Sequence, residues 1–125
     1  MPKIITTSLS QMNKFEADEK YFIVLRPGKI RVSGLRHHPE LAPSKELFLW
    51  TQNHKNESNW FDTYAEWFKK DMQMRPGLRD AINKLEHDVK NKDILLVCFC
   101  ADVNRCHRGL IADELIKRGV NVLRN

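Results

Sequence analysis

The sequence contains no apolar run of the roughly 18 to 20 residues that a membrane-spanning helix requires. Its first residues, MPKIITTSLSQMNK, also lack the apolar segment and cleavage site of a secretory signal peptide. These absences predict a cytoplasmic protein with no membrane partner. The chain has 125 residues, of which 42% are hydrophobic and 30% charged. This composition is typical of a soluble globular protein, and the length favours one domain, residues 1–125, over two.

Cysteine is scarce, and the three that occur, Cys98, Cys100 and Cys106, lie within nine residues of one another. A secreted disulfide scaffold usually has an even number of cysteines spread along the chain. The sequence therefore predicts free thiols in a reducing compartment. Their clustering has three local explanations, namely core packing, metal ligation and reactive chemistry.

Several familiar motifs are missing. There is no internal repeat and no glycine-rich loop of the Walker or dinucleotide-binding type. The phosphatase and rhodanese loop, Cys followed by five residues and Arg, is absent because the sixth residue after Cys100 is Cys106. Cys98, Cys100, Cys106 and His107 are a chemically acceptable zinc set, but their spacing differs from that of zinc knuckles. We therefore predict neither a metal site nor a cofactor.

The hydrophobic pattern alternates between strands and helices. Continuous apolar runs predict strands buried on both faces, whereas apolar residues at helical spacing predict amphipathic helices. Strands separated by helices predict a single-domain, three-layer-like α/β fold, with a mainly parallel sheet and helices packed on it. The predicted strands are Lys3–Ser8, Tyr21–Leu25, Ile94–Cys100 and Val120–Leu123; the helices are Lys45–Trp50, Asn59–Met72, Leu78–Lys90 and Arg108–Arg118; and Lys29–Pro43 is a long loop.

The segment from Cys98 to Arg108 is the predicted functional centre. Ligands of parallel α/β sheets bind where a strand ends and the next helix begins. Strand alternation places Cys98 in the core and Cys100 at the rim. Cys106 at a helix N-terminus beside His and Arg is expected to have a lowered pKa. The predicted catalytic residues are Cys100, Asp102, Cys106 and His107, and the predicted substrate-binding residues are Arg26, Arg105 and Arg108.

The ending CFCADVNRCHRGLIADEL resembles the C-terminal signature of the domain-of-unknown-function-488 family, which includes YeaO-like proteins. The apolar strand running into Arg26-Pro27, the Gly34-Leu35 loop and the segment LAPSKELFLW are also similar, so the resemblance covers roughly residues 20–118. It implies a compact α/β fold and a pocket where Arg26, the Gly34–His38 loop and the Cys-His-Arg turn converge. It marks Cys100, Cys106, His107 and Arg108, but it implies no established reaction.

These observations favour an enzyme that acts on a small phosphorylated or nucleotide-like molecule. In this hypothesis Arg108 binds the anion, Cys100 or Cys106 is the nucleophile or proton donor, and His107 is the acid–base partner. The net charge of +5 and the Arg36-His37-His38 run favour an alternative, a nucleic-acid-binding module. A redox or metal module that uses Cys100 and Cys106 is a third reading. No pattern in the sequence indicates an oligomeric state.

Overall fold

The computed structural model describes all 125 residues. It contains a five-stranded sheet in the order β3-β2-β4-β1-β5, in which every neighbouring pair of strands is parallel. The α/β class and the parallel sheet are therefore confirmed. The strands are β1 (Ile4–Ser8), β2 (Glu19–Phe22), β3 (Leu35–His37), β4 (Ile94–Cys98) and β5 (Val122–Arg124), and the helices are α1 (Lys45–His54), α2 (Trp60–Met74), α3 (Pro76–Asp88) and α4 (His107–Lys117).

Strand β4 is the centre of the sheet. It lies between β2 and β1, and all five of its residues are buried. Its register with β1 runs from Ile4 opposite Ile94 to Ser8 opposite Cys98. Since a strand covered on both faces needs apolar side chains on both, the run ILLVC is what this position requires. The end of β4 therefore delivers Cys98 into the core.

The helices pack on one another and on the sheet. Helix α2 contacts α1, α3 and α4, while α4 also contacts β1, β4 and β5. Helix α1 begins after Ser44, whose hydroxyl oxygen accepts a hydrogen bond from the Leu47 amide at 3.1 Å. The aromatic stripe of α2 contributes buried Tyr64 and Phe68 to a core cluster of 25 residues. Helix α4 is followed by Gly119 at φ +86°, a left-handed conformation that favours glycine.

Several predicted boundaries differ from the structure. The predicted loop Lys29–Pro43 contains β3 and a short 3-10 helix at Pro39–Leu41. Strand β3 is only three residues long and lies at the sheet edge, so it carries no hydrophobic alternation that a sequence pattern would reveal. A second 3-10 helix, Leu9–Lys14, follows β1 and was not predicted. The structure ends the central strand at Cys98, two residues before the predicted Cys100.

None of the helices combines the length and the apolar character needed to cross a bilayer.

Candidate functional site

A cavity of about 390 Å³ opens at the carboxyl ends of β2 and β4, which are neighbours in the sheet. This is the place where parallel α/β sheets bind ligands. Segments that follow the two strands form one side of the cavity, and α1 and α2 form the other. The lining residues are Val24, Leu25, Arg26, Pro43, Phe48, Thr51, Lys55, Trp60, Tyr64, Cys98, Phe99, Cys100, Arg105, Cys106 and His107.

The three thiols meet at the floor of this cavity. Their sulfur atoms all lie within 4.8 Å of one another, and the Sγ atoms of Cys98 and Cys106 are 2.8 Å apart. Cys98 and Cys106 are buried, whereas Cys100 is exposed. The placement of Cys98 in the core and Cys100 at the rim agrees with the strand alternation read from the sequence. Cys100 is thus the thiol that a molecule in the cavity meets.

The expected lowering of the pKa of Cys106 is wrong for the free thiol, and the pKa values of all three thiols are raised. At Cys106 the hydrogen bond with Cys100 raises the pKa, the one with Cys98 lowers it, and burial brings it to about 12. At Cys98 the hydrogen bond with Cys100 lowers the pKa, but the one with Cys106 and burial raise it to about 12. At Cys100 the bond with Cys106 lowers the pKa, while the bond with Cys98 and burial raise it to about 11. Crowding of three sulfurs outweighs the helix N-terminus, so free thiols here are protonated at neutral pH.

His107 is the first residue of α4 and is buried. Its Nε2 lies 2.6 Å from the carbonyl oxygen of Ile23, which follows β2. A carbonyl oxygen only accepts, so Nε2 carries the proton and Nδ1 of the neutral ring carries a lone pair. Nδ1 lies 3.7 Å from the Cys106 sulfur. Burial lowers the pKa of His107 to about 4, which keeps the imidazole neutral at physiological pH.

Arg108 points into the protein and does not line the cavity. It is 1% exposed. Its guanidinium nitrogens donate hydrogen bonds to acceptors at the end of β4, in the chain that follows β4, and at the last residue of the protein. These acceptors are the carbonyl oxygens of Asn125 (2.9 Å from Nε), Cys100 and Ala101 (3.3 Å from Nη2) and the sulfur of Cys98 (3.0 Å from Nη1). The structure therefore gives Arg108 a place beneath the predicted anion site, where it fixes the chain that leaves β4.

The other predicted site residues separate into two groups. Arg26 and Arg105 are exposed and line the cavity, and the Arg26 guanidinium lies 6.0 Å from the centre of the Phe48 ring. Asp102 is exposed outside the cavity, where its Oδ1 accepts a hydrogen bond from the Asn104 amide at 2.9 Å. Asp102 makes no hydrogen bond to His107, whose orientation is set by a backbone carbonyl instead.

The segment Gly34–His38, expected near the Cys-His-Arg turn, does not reach the cavity. Each of its polar residues has a partner elsewhere in the chain. Arg36 lies 3.3 Å from a Glu19 carboxylate oxygen, His37 Nε2 lies 2.7 Å from the Val24 carbonyl oxygen, and His38 lies 3.2 Å from Glu40. Arg36 and His38 are therefore each paired with an acidic residue, while the Arg36 side chain stays 62% exposed.

Sequence reasoning missed part of the cavity, namely Phe48, Lys55, Trp60 and Tyr64. They come from α1, α2 and the turn between them, 34 to 50 positions before Cys98. The aromatic residues were interpreted as core, and Tyr64 is indeed buried. The one available signal was Lys55, a cation next to an aromatic-rich helix, which is too common a pattern to identify a site.

Gly109, in the first turn of α4, was also missed. A Cβ atom at this position would overlap the carbonyl oxygen of Val103. No other residue type fits there unless the 3-10 turn Val103–Arg105 moves. The glycine therefore lets the turn that carries Arg105 fold closely over the start of α4.

The fold and the cavity define a class: a small parallel α/β protein with clustered thiols at the carboxyl end of its central strand. A family model described as the active DUF488-N3 subclade, DUF488-N3a, matches residues 18–119, a range that includes every cavity-lining residue. The chain belongs to this subclade, and the resemblance read from the sequence is confirmed. No curated protein and no solved structure matches the chain.

Proposed function

We propose that the protein is an enzyme that binds a small anionic, nucleotide-like molecule in this cavity and acts on it at the thiol cluster. The observation that carries the proposal is the composition of one open cavity. Aromatic rings, unpaired cations and sulfur atoms line the same 390 Å³, a volume within the range of about 300 to 1,000 Å³ typical of small-molecule sites. The description of the subclade as active agrees with an enzymatic role.

The cations of the cavity support an anionic ligand. Arg26, Lys55 and Arg105 are exposed at the cavity, and none of the three forms a salt bridge within the chain. Unpaired cations around one concave space create a positive potential, and an arginine fork binds phosphate or carboxylate oxygens in pairs.

The aromatic residues support a planar group on the ligand. Phe48, Trp60, Tyr64 and Phe99 line the cavity, and Phe99 is 51% exposed although it is a large apolar side chain. Rings that border an open cavity are suited to stack on a base or a similar flat group. A ligand with both a ring and a phosphate would use both features.

The thiol cluster supplies the reacting end of the site. Cys100 is its exposed member, and Cys98 and Cys106 lie beneath it. His107 and Arg108 act as positioning residues, since His107 approaches the Cys106 sulfur and Arg108 donates to the Cys98 sulfur. An anion bound at the rim of the cavity would thus lie next to sulfur atoms that His107 and Arg108 hold in position.

Thermal-shift measurements with adenosine monophosphate, ribose 5-phosphate and inorganic phosphate test the binding step, because a ligand of the folded state raises the melting temperature. We expect a shift with adenosine monophosphate that Arg105→Ala and Lys55→Ala reduce. Lys69→Ala, which removes a similar exposed charge from α2 outside the cavity, is the matched control and should keep the full shift. A shift that is equal in all three variants, or no shift with any ligand, would overturn the proposed binding site.

Turnover is tested separately. Any ligand that binds is incubated with the protein, and the products are identified by mass spectrometry. Cys100→Ser is expected to abolish product formation while the ligand still raises the melting temperature. Product formed at the same rate by Cys100→Ser would contradict the assignment of the reaction to the thiol cluster.

A further inference from the structure

The arrangement of the three sulfur atoms has the dimensions of a metal site. They lie within 4.8 Å of one another, with Cys98 and Cys106 at 2.8 Å. A tetrahedral zinc ion with bonds of about 2.3 Å to sulfur would set its thiolate ligands about 3.8 Å apart. This separation falls between the shortest sulfur–sulfur distance, 2.8 Å, and the upper limit of 4.8 Å for the three sulfurs. Small side-chain rotations would therefore bring all three sulfurs onto one ion.

The way these sulfurs are delivered explains why the sequence spacing was misleading. Cys98 ends β4, Cys100 lies in the extended chain just beyond it, and Cys106 immediately precedes α4. The 3-10 turn Val103–Arg105 folds the chain back, so the close approach comes from tertiary structure and not from a zinc-knuckle loop. His107, which the sequence offered as a fourth ligand, is outside the group, because its Nδ1 does not lie within 4.8 Å of all three sulfurs.

The environment of Arg108 independently supports a metal site at these sulfur atoms. This cation is 1% exposed, no aspartate or glutamate pairs with it, and its Nη1 donates to the Cys98 sulfur at 3.0 Å. A divalent ion with three thiolates carries a net charge of about −1. A buried guanidinium that donates to one of those sulfurs is the charge partner and outer-shell hydrogen bond that such a site needs.

We propose that Cys98, Cys100 and Cys106 together bind one Zn²⁺ ion through three thiolates, with the fourth coordination position directed into the cavity. All three cysteines line that cavity, so the open position faces the space in which the ligand would bind. Three protein ligands with an accessible fourth position are characteristic of reactive zinc sites, as opposed to structural ones. The inference goes beyond the proposed function and does not depend on which ligand the cavity takes.

The test is a titration of metal-free protein, kept reduced by a phosphine, first with Zn²⁺ and then with Co²⁺. Zn²⁺ is expected to bind with a stoichiometry of about one and to release about three protons, one from each thiol. Co²⁺ is expected to give thiolate charge-transfer absorption and the intense visible bands of tetrahedral coordination. Release of about one proton or none, or Co²⁺ spectra without thiolate absorption, would overturn the proposal.

Two variants locate the site. Cys100→Ser changes an exposed residue, so the fold should persist, and we expect the Co²⁺ affinity to fall by more than about a hundredfold. Asp102→Asn is the matched control in the same loop, since an asparagine can still accept the hydrogen bond from Asn104, and its affinity should be unchanged. If Cys100→Ser and the unaltered protein bound Co²⁺ with equal affinity, the proposed three-thiolate site would be wrong. Failure of the ligand-induced thermal shift in metal-free protein bears on the proposed function alone, so the two failures are distinguishable.

Discussion

His107 and Ile23 join the start of α4 to the end of β2 through one hydrogen bond. The imidazole Nε2–H donates to the Ile23 carbonyl oxygen across 2.6 Å, and both groups are buried. Because β2 and β4 are neighbours in the sheet, this bond ties the segments after both strands together beside the cavity. It also fixes the tautomer, with the lone pair of Nδ1 towards Cys106.

The first prediction concerns acid stability in metal-free protein. Burial lowers the pKa of His107 from 6.5 to about 4, so the unfolded chain binds a proton at this ring at a higher pH than the folded chain does. The contribution of the neutral ring to the free energy of unfolding is fully present above pH 6.5 and is lost as the pH falls towards 4. The full loss, reached below pH 4, is about 3 kcal/mol, and about 2 kcal/mol of it is lost between pH 7.5 and 5. Urea unfolding at pH 7.5 and 5 measures this part of the loss.

His107→Gln is the control, since glutamine can donate to the Ile23 carbonyl oxygen but does not titrate. Its free energy of unfolding should fall less between the two pH values than that of the unaltered protein. An equal fall in both proteins would show that His107 is not the group responsible.

The second prediction concerns Arg108. Lysine keeps the positive charge but cannot reproduce donation from separate nitrogens to Asn125, Cys98 and the chain after β4. Arg108→Lys should therefore lower the free energy of unfolding by about 2–4 kcal/mol. Arg79→Lys on the exposed face of α3 should change it by less than about 0.5 kcal/mol. Chemical denaturation of both variants makes the comparison, and similar values for the two would contradict the buried role of Arg108.

The third prediction uses two glycines. A methyl group at Gly109 would overlap the Val103 carbonyl oxygen, whereas one at Gly77 in α3 would meet nothing within 4 Å. Gly109→Ala should cost about 1–3 kcal/mol of stability. Gly77→Ala should be neutral or stabilising by up to about 1 kcal/mol. The melting temperature of Gly109→Ala should therefore be clearly lower than that of Gly77→Ala. Equal melting temperatures would be evidence against close packing of the turn Val103–Arg105 on Gly109.

The fourth prediction concerns thiol reactivity in metal-free protein. Cys100 is exposed and should react alone with a thiol reagent, while Cys98 and Cys106 should react only after unfolding. With the pKa of Cys100 raised to about 11, its rate should rise about tenfold for each pH unit between 7 and 10, because the thiolate is the reactive form. Stopped-flow measurement of modification checks this. Cys100→Ser should lack the phase, and a fast rate that is already independent of pH near 7 would contradict the raised pKa.

The sequence predicted the parts of the fold that carry strong periodicity. The apolar run of β4 and the amphipathic pattern of α4 identified the strand-to-helix turn, and the resemblance named the family. Strand β3 was missed because three residues at a sheet edge depend on pairing with β2 and not on their own pattern.

The sequence predicted where the site lies along the chain better than it predicted the directions and contacts of the site's side chains. Successive helix residues point about 100° apart, so His107 and Arg108 face different surroundings, and only the structure shows that Arg108 turns inward. Lys55 and Trp60 reach the cavity through packing of α1 and α2 across the chain, which no local pattern encodes. The raised thiol pKa values likewise depend on distances between sulfur atoms that spacing along the sequence does not give.

Tryptophan fluorescence reports whether the cavity binds a small anionic molecule with a planar group. Trp60 lines the cavity, whereas Trp50 lies outside it and stacks on His54 at 4.4 Å. Titration with adenosine monophosphate should quench the emission of the unaltered protein and of Trp50→Phe in a saturable way, and this quenching should be lost in Trp60→Phe. Arg105→Ala should weaken the apparent affinity by about tenfold to a hundredfold. Quenching that persists in Trp60→Phe, or no quenching at any concentration in the unaltered protein, would show that this cavity does not bind the ligand.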